Sequence, residues 1–371
     1  MKIGVPKEIK NHEYRVAITP AGVRELVLRG HSVVVEAQAG QGSFIADKEY
    51  MDAGAAVEHD ADRVWSDSEM VLKVKEPIKP EYHRLRDGLV LFTYLHLAAD
   101  RALARELLDR GVTGIAYETV QSADRTLPLL APMSEVAGRL APQVGAAALQ
   151  RPYGGRGMLL GGVTGVPAAK VVVIGAGVAG LNATRIAVGM GADVSVIDRS
   201  LAALQRADQL FASRVRTIVA SEYAIERECL DADLVIGAVL VPGAAAPKLV
   251  SNALVARMKP GAVLVDIAID QGGCFEDSRP TTHAEPTYPV HETVFYCVAN
   301  MPGAVGNTST YALTNVTLPY VTELADHGWK AALGADRSLA LGLNTYGGNL
   351  INPAVGEALG IEVHDLASAI T

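Results

Sequence analysis

Four polar side chains follow strand-like stretches in the first third of the sequence, where each stretch gives way to a loop. Arg15 stands in NHEYRVAITP, Lys75 in LKVKEP, His96 in TYLHLA and Glu118 in AYETV. Because parallel strands present their carboxyl ends at one edge of a sheet, we expect these side chains to face one crevice. Arginine can grip a carboxylate through two hydrogen bonds, lysine can polarise a carbonyl, and histidine can move a proton near neutral pH. The set predicts a site for a short amino or keto acid.

Each of these residues also has an ordinary structural interpretation. A single lysine after a strand is usually solvated, and Arg15 alone would fit a surface ion pair. His96 stands between two leucines and would fit a half-buried histidine with satisfied hydrogen bonds. Glu118 fits a structural or supporting role best. The joint occurrence at corresponding strand ends favours function for Arg15, Lys75 and His96.

A dinucleotide-binding turn is predicted by KVVVIGAGVAG, residues 170–180, in which a β-branched run precedes Gly175, Gly177 and Gly180. The first glycine makes the tight turn, the second lets backbone amides approach a pyrophosphate, and the start of the next helix supplies positive partial charge. Asp198 ends the following strand, where an acid binds the adenosine ribose hydroxyls. Its charge would repel a ribose phosphate, which favours NAD over NADP, although an arginine follows it directly. A Rossmann-like domain for another nucleotide, or for none, is the disfavoured alternative.

The strands predicted for AVLVDIAID and VFYCVAN end at Asp270 and Asn300. A nicotinamide ring lies beyond the carboxyl ends of such strands, so Asp270, just before QGG, is a candidate for the chemistry. The alternative is an aspartate that only forms the turn before the glycines. Asp266, inside the predicted strand, is interpreted as a structural partner.

Composition excludes several classes of protein. The 371 residues carry a scattered net charge of −8 with no basic block, which disfavours nucleic acid or an anionic membrane as partner. The start of the chain lacks a signal peptide pattern, and the long uncharged run 293–322 is too polar to span a bilayer. The three cysteines have no paired spacing, which argues against disulfides or a zinc site and fits the cytoplasm.

Alternating strand and helix patterns predict an α/β fold with two domains, each a doubly wound, mostly parallel sheet. We place a Rossmann-type domain at 128–307, inserted between 1–127 and 308–371, which together form the substrate domain. A long helix through Arg151 contains Pro142, where a kink or broken turn is expected. The tail is expected to contain the helix LPYVTELADHGWKAAL, packed on the first domain, and no further strand series.

These segments resemble, in order and almost end to end, bacterial L-alanine dehydrogenases of the alanine dehydrogenase and transhydrogenase superfamily. The segments are MKIGVPKEIKNHEYRVAITP, LKVKEP, LFTYLHLA, PLLAPMSEVAGR, VVVIGAGVAG, LVIGAVLVPG, VLVDIAIDQGG and YCVANMPGAV. The resemblance implies reversible NAD-dependent oxidative deamination of L-alanine to pyruvate and ammonium, by a homohexamer.

The resemblance also assigns roles to residues. It implies that Arg15 and Lys75 bind the substrate carboxylate, that His96 is the acid/base and that Asp270 is catalytic. The cofactor contacts implied, glycines included, are Ser134, Gly175, Gly177, Val178, Ala179, Gly180, Asp198, Val239, Leu240, Ile267, Ala268, Ile269, Asp270, Arg279, Val298, Asn300 and Met301. Glu118 and His327 resemble a pair that binds a divalent metal, Mg²⁺, in some members. The sequence departs from the family at Ala203, often a cation, and at Ala220, often a serine.

Three other functions remain open from the sequence. The first is the NAD-binding lobe of a proton-translocating transhydrogenase, although that lobe typically lacks the lysine and histidine of KVKEP and YLHLA. The second is a related amino-acid dehydrogenase of the saccharopine or lysine type, which the size of the pocket would decide. The third is a cofactor-binding regulatory protein without turnover.

Overall fold

Two mostly parallel sheets carry the fold, one in each of two units of the chain. The structure is a computed structural model that describes residues 1–239 and 246–370. Unit 1 comprises Met1–Met133 with Gly303–Thr371, and unit 2 comprises Ser134–Pro302. The sequence-based divisions stand at 127 and 308.

Short apolar runs rich in valine and isoleucine form most of the strands. Within the described residues these are, in chain order, β1 (Lys2–Val5), β2 (Ser32–Glu36), β3 (Ala56–Glu58), β4 (Met70–Leu72), β5 (Val90–Thr93), β6 (Thr113–Ala116), β7 (Lys170–Ile174), β8 (Asp193–Asp198), β9 (Val215–Val219), β10 (Leu234–Gly237), β11 (Val263–Asp266), β12 (Thr287–Val290), β13 (Thr293–Tyr296), β14 (Leu343–Tyr346) and β15 (Asn349–Leu350).

Helices alternate with these strands. They are α1 (Pro20–Leu28), α2 (Asp47–Asp52), α3 (Ala61–Ser66), α4 (Arg101–Asp109), α5 (Ala131–Ala148), α6 (Val178–Gly189), α7 (Leu201–Phe211), α8 (Glu222–Leu230), α9 (Asn252–Val255), α10 (Gly306–His327), α11 (Trp329–Ala335), α12 (Arg337–Ala340), α13 (Pro353–Leu359) and α14 (Leu366–Ile370). In the part of the chain that the structure describes, no helix has the length and apolar character needed to cross a membrane.

The sheet of unit 1 has the order β3-β2-β1-β4-β5-β6-β14-β15. The strands from β3 to β6 are parallel, and β14 and β15 add an antiparallel edge. The prediction that the tail contains no further strand series is wrong, because the tail contributes these two strands. The strand order reverses direction between β1 and β4, and such a switch point is where open α/β sheets bind ligands.

The sheet of unit 2 repeats this arrangement as β9-β8-β7-β10-β11-β13-β12, with β12 antiparallel at the edge. Its switch point lies between β7 and β10. Alternate residues of β7 enter two different core clusters, with Val171 and Val173 in one and Val172 and Ile174 in the other. Helices thus cover both faces, as parallel sheets require. The predicted fold class, two doubly wound α/β domains, is confirmed.

Helix ends follow the predicted signals in several places. The Thr19 side chain accepts a hydrogen bond from the Gly22 amide at the start of α1. α5 runs without interruption through Pro142, so the predicted broken turn is absent from this described helix. The helix also stops at Ala148, and Arg151 opens a separate short 3₁₀ turn. α10 belongs to unit 1 and packs against α1, where Leu318 lies beside Gly22.

Candidate active site

Three of the four polar residues predicted in unit 1 lie on loops just beyond their strands, because the strands are shorter than predicted. Arg15 instead lies within the loop between β1, which ends at Val5, and α1, so its predicted strand end is wrong. β4 ends at Leu72, so Lys75 lies on the loop that follows it. His96 follows β5 in the same way, and Glu118 follows β6 in a 3₁₀ turn. Loops at the carboxyl edge carry them, as predicted, and the switch point between β1 and β4 is part of that edge.

Lys75 and His96 are brought together. The Nζ atom of Lys75 lies 3.5 Å from Nε2 of His96. Lys75 is 7% exposed and His96 is half-buried. An ammonium group has three donors and no acceptor, so with a charged lysine this contact requires a lone pair on Nε2. The pair therefore presents a cation and a proton carrier to the same small volume.

The backbone of His96 is held in the left-handed region, with φ of 49°. The carboxylate of Glu118 accepts hydrogen bonds from the His96 amide at 2.6 Å and from the Leu95 amide at 3.2 Å. The ring of Tyr94 lies parallel to the imidazole, with centroids 5.7 Å apart, and its hydroxyl donates to the Leu129 carbonyl at 2.6 Å. Glu118 and Tyr94 thus fix the main chain and the ring of His96.

Arg15 is 2% exposed and faces a buried carboxylate. Its Nε donates to Glu13 Oε1 at 2.6 Å, and its Nη2 pairs with the other oxygen of Glu13. Burial lowers the pKa of Arg15, but the charge and hydrogen bonds of Glu13 outweigh burial and raise that pKa overall. Nη1 donates to the sulfur of Met133 at 3.0 Å. A thioether sulfur is a weak acceptor, and an anionic oxygen would form a stronger hydrogen bond with Nη1. The predicted two-pronged grip is therefore directed at Glu13 in this structure.

Several residues of this region carry no signal in the sequence. Glu8, Glu13, Lys73 and Glu81 are buried, although charged side chains are normally assigned to the surface. Tyr94 reads as an ordinary apolar strand residue. Glu76 beside Lys75 is also part of the electrostatics, because the charges of Lys75 and Lys10 outweigh its burial and lower its pKa.

Glu118 and His327 do not form a metal site in this structure. The carboxylate of Glu118 is occupied by two backbone amides, and His327, on the last turn of α10, pairs with Glu323 at 3.6 Å. No ion pair joins Glu118 to His327, and no group of three or more potential ligands is found within residues 1–239 and 246–370. In this structure the two side chains are therefore not placed to share one Mg²⁺ ion.

In unit 2, the three glycines of the turn after β7 have distinct physical reasons. Gly175 has φ of 108°, and an added Cβ would lie 2.6 Å from the Ala238 carbonyl oxygen. At Gly180 the Cβ would lie 1.7 Å from the Gly175 carbonyl oxygen, so helix and turn touch through backbone alone. Gly177 has open space above it, with no atom within 4 Å of an added Cβ.

These features fit a dinucleotide. Gly177 precedes α6, and no side chain caps the first amides of that helix. Backbone amides at a helix start, with room above them, suit a pyrophosphate. Asp198 ends β8, and its carboxylate accepts from the amides of Ala176 and Ser200, both at 2.7 Å. The carboxylate of Asp198, which would bind the ribose hydroxyls, is therefore held against the turn that would bind the phosphates.

Both departures from the family pattern, Ala203 and Ala220, lie near Asp198, where the adenosine ribose would bind. Ala203 is 6% exposed and packs in the core on α7, so no cation stands there. The amide of Ala220 donates to the main-chain oxygen of Asp198 at 2.9 Å. The hydroxyl of Ser221 caps α8 by accepting from the Ala224 amide at 3.1 Å.

Asp270 does not end a strand. β11 stops at Asp266, and Asp270 lies exposed on the 3₁₀ turn Ile269–Gln271. Across the described residues its carboxylate has no hydrogen bond or ion pair. Asp266 is fully buried and accepts from the Cys274 amide at 2.7 Å and the Ala268 amide at 3.0 Å, so it shapes the loop that carries Asp270.

The other predicted cofactor contacts differ in exposure. Ala268, Ile269, Val298 and Met301 are buried, so a ligand would meet their backbone groups rather than their side chains. The half-buried or exposed positions are Ser134, Val178, Ala179, Val239, Ile267, Arg279 and Asn300. β13 ends at Tyr296, so Asn300 also lies beyond its strand, with φ of 62°. The guanidinium of Arg279 lies over the Tyr288 ring at 4.0 Å. Leu240 lies outside the described residues.

Fold and site together define a two-domain α/β protein whose Rossmann-type unit, with a dinucleotide turn, interrupts a second unit carrying a Lys–His pair. Comparison with known proteins narrows this class. The sequence profile "Alanine dehydrogenase/PNT, N-terminal domain" matches residues 4–137, and "Alanine dehydrogenase/PNT, C-terminal domain" matches residues 141–353. The chain belongs to the alanine dehydrogenase/PNT family.

Individual relatives agree with this assignment. The alanine dehydrogenase of Mycolicibacterium smegmatis is 62% identical over 367 residues, which cover 99% of each chain. A solved L-alanine dehydrogenase structure superposes with a TM-score of 0.94 at 52% identity, covering 97% of this chain and 99% of that one. A transhydrogenase from Sinorhizobium meliloti gives 0.80 at 28% identity, covering 95% of this chain and 100% of that one.

Proposed function

We propose that the protein catalyses the reversible oxidative deamination of L-alanine to pyruvate and ammonium, with NAD as hydride acceptor. The observation that carries the proposal is the 3.5 Å contact between Lys75 and His96 in a protein that also has a dinucleotide turn. A fixed cation beside a proton carrier is what an amino acid needs when its α-carbon is oxidised and its nitrogen leaves. The identity to alanine dehydrogenases supports alanine as the substrate.

Each unit supplies one part of the chemistry. Unit 1 holds the substrate: Lys75, with Arg15, binds the carboxylate, and Lys75 polarises the forming carbonyl. Once the substrate ammonium has lost a proton, NAD bound at the glycine turn of unit 2 would supply the acceptor for the hydride of the α-carbon. The substrate is left as an iminium, to which water adds while His96 takes up a proton. His96 returns that proton to the nitrogen and takes up the hydroxyl proton as the carbinolamine collapses to pyruvate and ammonia, which leaves as ammonium.

Asp270 is assigned to the same reaction with a different task. Its exposed carboxylate lies on the loop after β11 in unit 2. We assign it the orientation of water or the stabilisation of the cationic intermediate. The remaining cofactor contacts keep the roles that the family resemblance gives them, and Asp198 selects NAD because its charge repels a ribose phosphate.

The transhydrogenase lobe is the second candidate, since a transhydrogenase structure shares the fold. The sequence identity to that transhydrogenase, 28%, is lower than the 52% to the solved L-alanine dehydrogenase, and this difference favours the dehydrogenase. The Lys75–His96 pair favours it as well. The family resemblance extends the proposal to a cytoplasmic homohexamer, for which light scattering of the purified protein is the measurement. A mass of one or two chains would contradict that part alone.

A substrate panel tests the reaction. NADH formation is followed with L-alanine, D-alanine, L-serine and L-lysine, and pyruvate is measured separately. Turnover confined mainly to L-alanine is expected. His96→Ala is expected to lower turnover about a hundredfold, the contribution of one acid/base group. The exposed His83, which pairs with the surface residue Asp62 at 3.2 Å, provides the matched control His83→Ala. Absence of alanine turnover in the wild type would contradict the proposal, and wild-type rates in His96→Ala would remove that residue from it.

A further inference from the structure

A buried cluster of charges lies beside the loop that carries Lys75. Lys73 is fully buried, and its Nζ lies 3.0 Å from Glu8 Oε2 and 2.9 Å from Glu81 Oε1. Burial lowers the pKa of Lys73, but the charges of the two glutamates outweigh burial and raise that pKa above its ordinary value. The cluster therefore holds a charged lysine between two acids in the interior of unit 1.

Burying such charges is costly unless each is paired, and apolar residues of similar size often serve stability as well. Stability alone is thus a weak reason for this cluster. Its geometry points to a second role, because both glutamates also bind the main chain around Lys75.

The main chain on one side of Lys75 is bound by Glu8. Its Oε1 accepts from the Val74 amide at 2.6 Å and from the Lys75 amide at 3.4 Å. β4 ends at Leu72, so the sheet no longer supplies hydrogen bonds from the β1 side at these positions. The carboxylate takes the place of a strand there. Glu118 binds the amides of Leu95 and His96 in the same pattern on the loop after β5.

The other side of the loop is held as well. The Thr93 hydroxyl donates to the Lys75 carbonyl at 3.1 Å. Glu81 accepts from the Ile78 amide at 2.9 Å while it pairs with Lys73. The segment 73–78 is therefore fixed at three places, and Lys75 lies at the centre with its Nζ beside His96.

We propose that Glu8, with Lys73 as its counter-ion, is a positioning residue that fixes the backbone of Lys75 and so places its ammonium group against His96 and the substrate. The inference rests on the proposed function for the role of Lys75. The negative charge of Glu8 is essential to it: a carboxylate accepts through both oxygens, one for Lys73 and one for the amides. Burial raises the pKa of Glu8, and the adjacent Lys73 opposes that shift by contact at 3.0 Å.

Glu8→Gln tests this requirement, because a carboxamide of the same shape accepts through one oxygen and donates through its nitrogen. Either Lys73 or the amides of 74 and 75 must then face a donor. We expect kcat/KM for L-alanine to fall about ten- to a hundredfold, because a misplacement of about 1 Å can cost about a hundredfold in rate. The dissociation constant of NADH is expected to stay unchanged.

A double-mutant cycle with Lys75→Ala separates positioning from a general loss of stability. If Glu8 acts through Lys75, adding Glu8→Gln to Lys75→Ala lowers kcat/KM by less than about twofold. An equal loss in both backgrounds would overturn the proposal. The control is Thr345→Val, which removes a buried hydroxyl that bonds Val112 at 2.9 Å on another strand pair of unit 1, and which should leave kcat/KM unchanged.

Hydrogen exchange gives a readout that does not depend on turnover. Glu8→Gln should speed exchange of segment 73–78 and increase labelling of Lys75, which is 7% exposed in the wild type, by an amine reagent. Unchanged exchange and labelling would overturn the inference even if the wild type proved inactive with alanine, which would contradict only the proposed function. Should Glu8→Gln not fold, Thr93→Val perturbs the same segment from its other side. A smaller fall in kcat/KM with increased labelling of Lys75 in Thr93→Val supports the proposal. Wild-type kcat/KM together with wild-type labelling in that variant would overturn it.

Discussion

Three glycine-to-alanine substitutions around α6 separate the folding role of the dinucleotide turn from its binding role. Gly180→Ala would put a methyl group 1.7 Å from the Gly175 carbonyl oxygen. Gly177→Ala would put one into open space, at a φ of −77° that alanine adopts freely. Gly189→Ala, at the far end of the same helix, also meets no atom within 4 Å and serves as the matched control.

The geometry gives the size of each effect. Contacts below 3.0 Å are essentially never made by real Cβ atoms, so Gly180→Ala must separate helix and turn by about 3.0 − 1.7 = 1.3 Å. Overpacking of this kind costs about 1–3 kcal/mol, and in a domain of this size each kcal/mol lowers Tm by about 2–4 °C. A displacement of that size should weaken NADH binding about a hundredfold. Gly177→Ala should leave Tm within about 2 °C yet weaken NADH binding at least about tenfold, because the methyl occupies the pyrophosphate space.

Thermal unfolding by calorimetry and NADH titration by fluorescence measure the two effects on the same samples. Gly189→Ala should raise Tm slightly or leave it unchanged, since alanine is favoured over glycine in a helix, and should not alter NADH binding. The reasoning would be refuted if Gly180→Ala kept the wild-type Tm and NADH affinity. Equal NADH affinities for Gly177→Ala and Gly189→Ala would refute the placement of the pyrophosphate.

Other predictions test separate parts of the account. Glu118→Gln replaces one of the two carboxylate oxygens that accept from backbone amides with an NH₂ donor, which should loosen His96 and lower kcat at least about tenfold. Added Mg²⁺ should not restore the rate. Asp198→Ala should narrow the preference for NADH over NADPH, measured as the ratio of dissociation constants, and an unchanged ratio would remove that carboxylate from selection. Burial raises the pKa of Cys274 to about 12 and of Cys297 to about 11, so at pH 8 the thiolate is about one part in a thousand or less. Both thiols should resist a disulfide reagent until the protein is unfolded. Because their native pKa values are raised, their contribution to stability is present below about pH 9 and is lost as pH rises through 11–12, which a pH series of denaturant unfolding would follow.

Local patterns predicted the parts of the site that depend on neighbours in sequence. The glycine turn needs a positive φ at Gly175 and direct backbone contact at Gly180, and the spacing of the glycines predicts both requirements. The positions of Lys75 and His96 followed from the rule that loops at the carboxyl ends of parallel strands meet. Their 3.5 Å contact needed coordinates, because strand alternation alone carries no distances.

Long-range pairing explains what the sequence did not predict. Glu8 binds amides 66 and 67 positions away, and its own surroundings look like an ordinary charged loop. Strand alternation in LKVKEP would place Lys73 and Lys75 on the same face, but the strand ends at Leu72, and Lys73 enters a buried cluster. Strand β14, second from the edge of its sheet, pairs with β6, more than 200 residues earlier, and its short polar sequence resembles a turn.

Transfer of the α-hydrogen of alanine tests the central claim most directly. With L-alanine deuterated at the α-carbon, the account predicts one deuteron at C4 of the reduced nicotinamide for each pyruvate formed, as measured by mass spectrometry and NMR. Reduced nicotinamide without deuterium, or pyruvate formed without reduced nicotinamide, would contradict it.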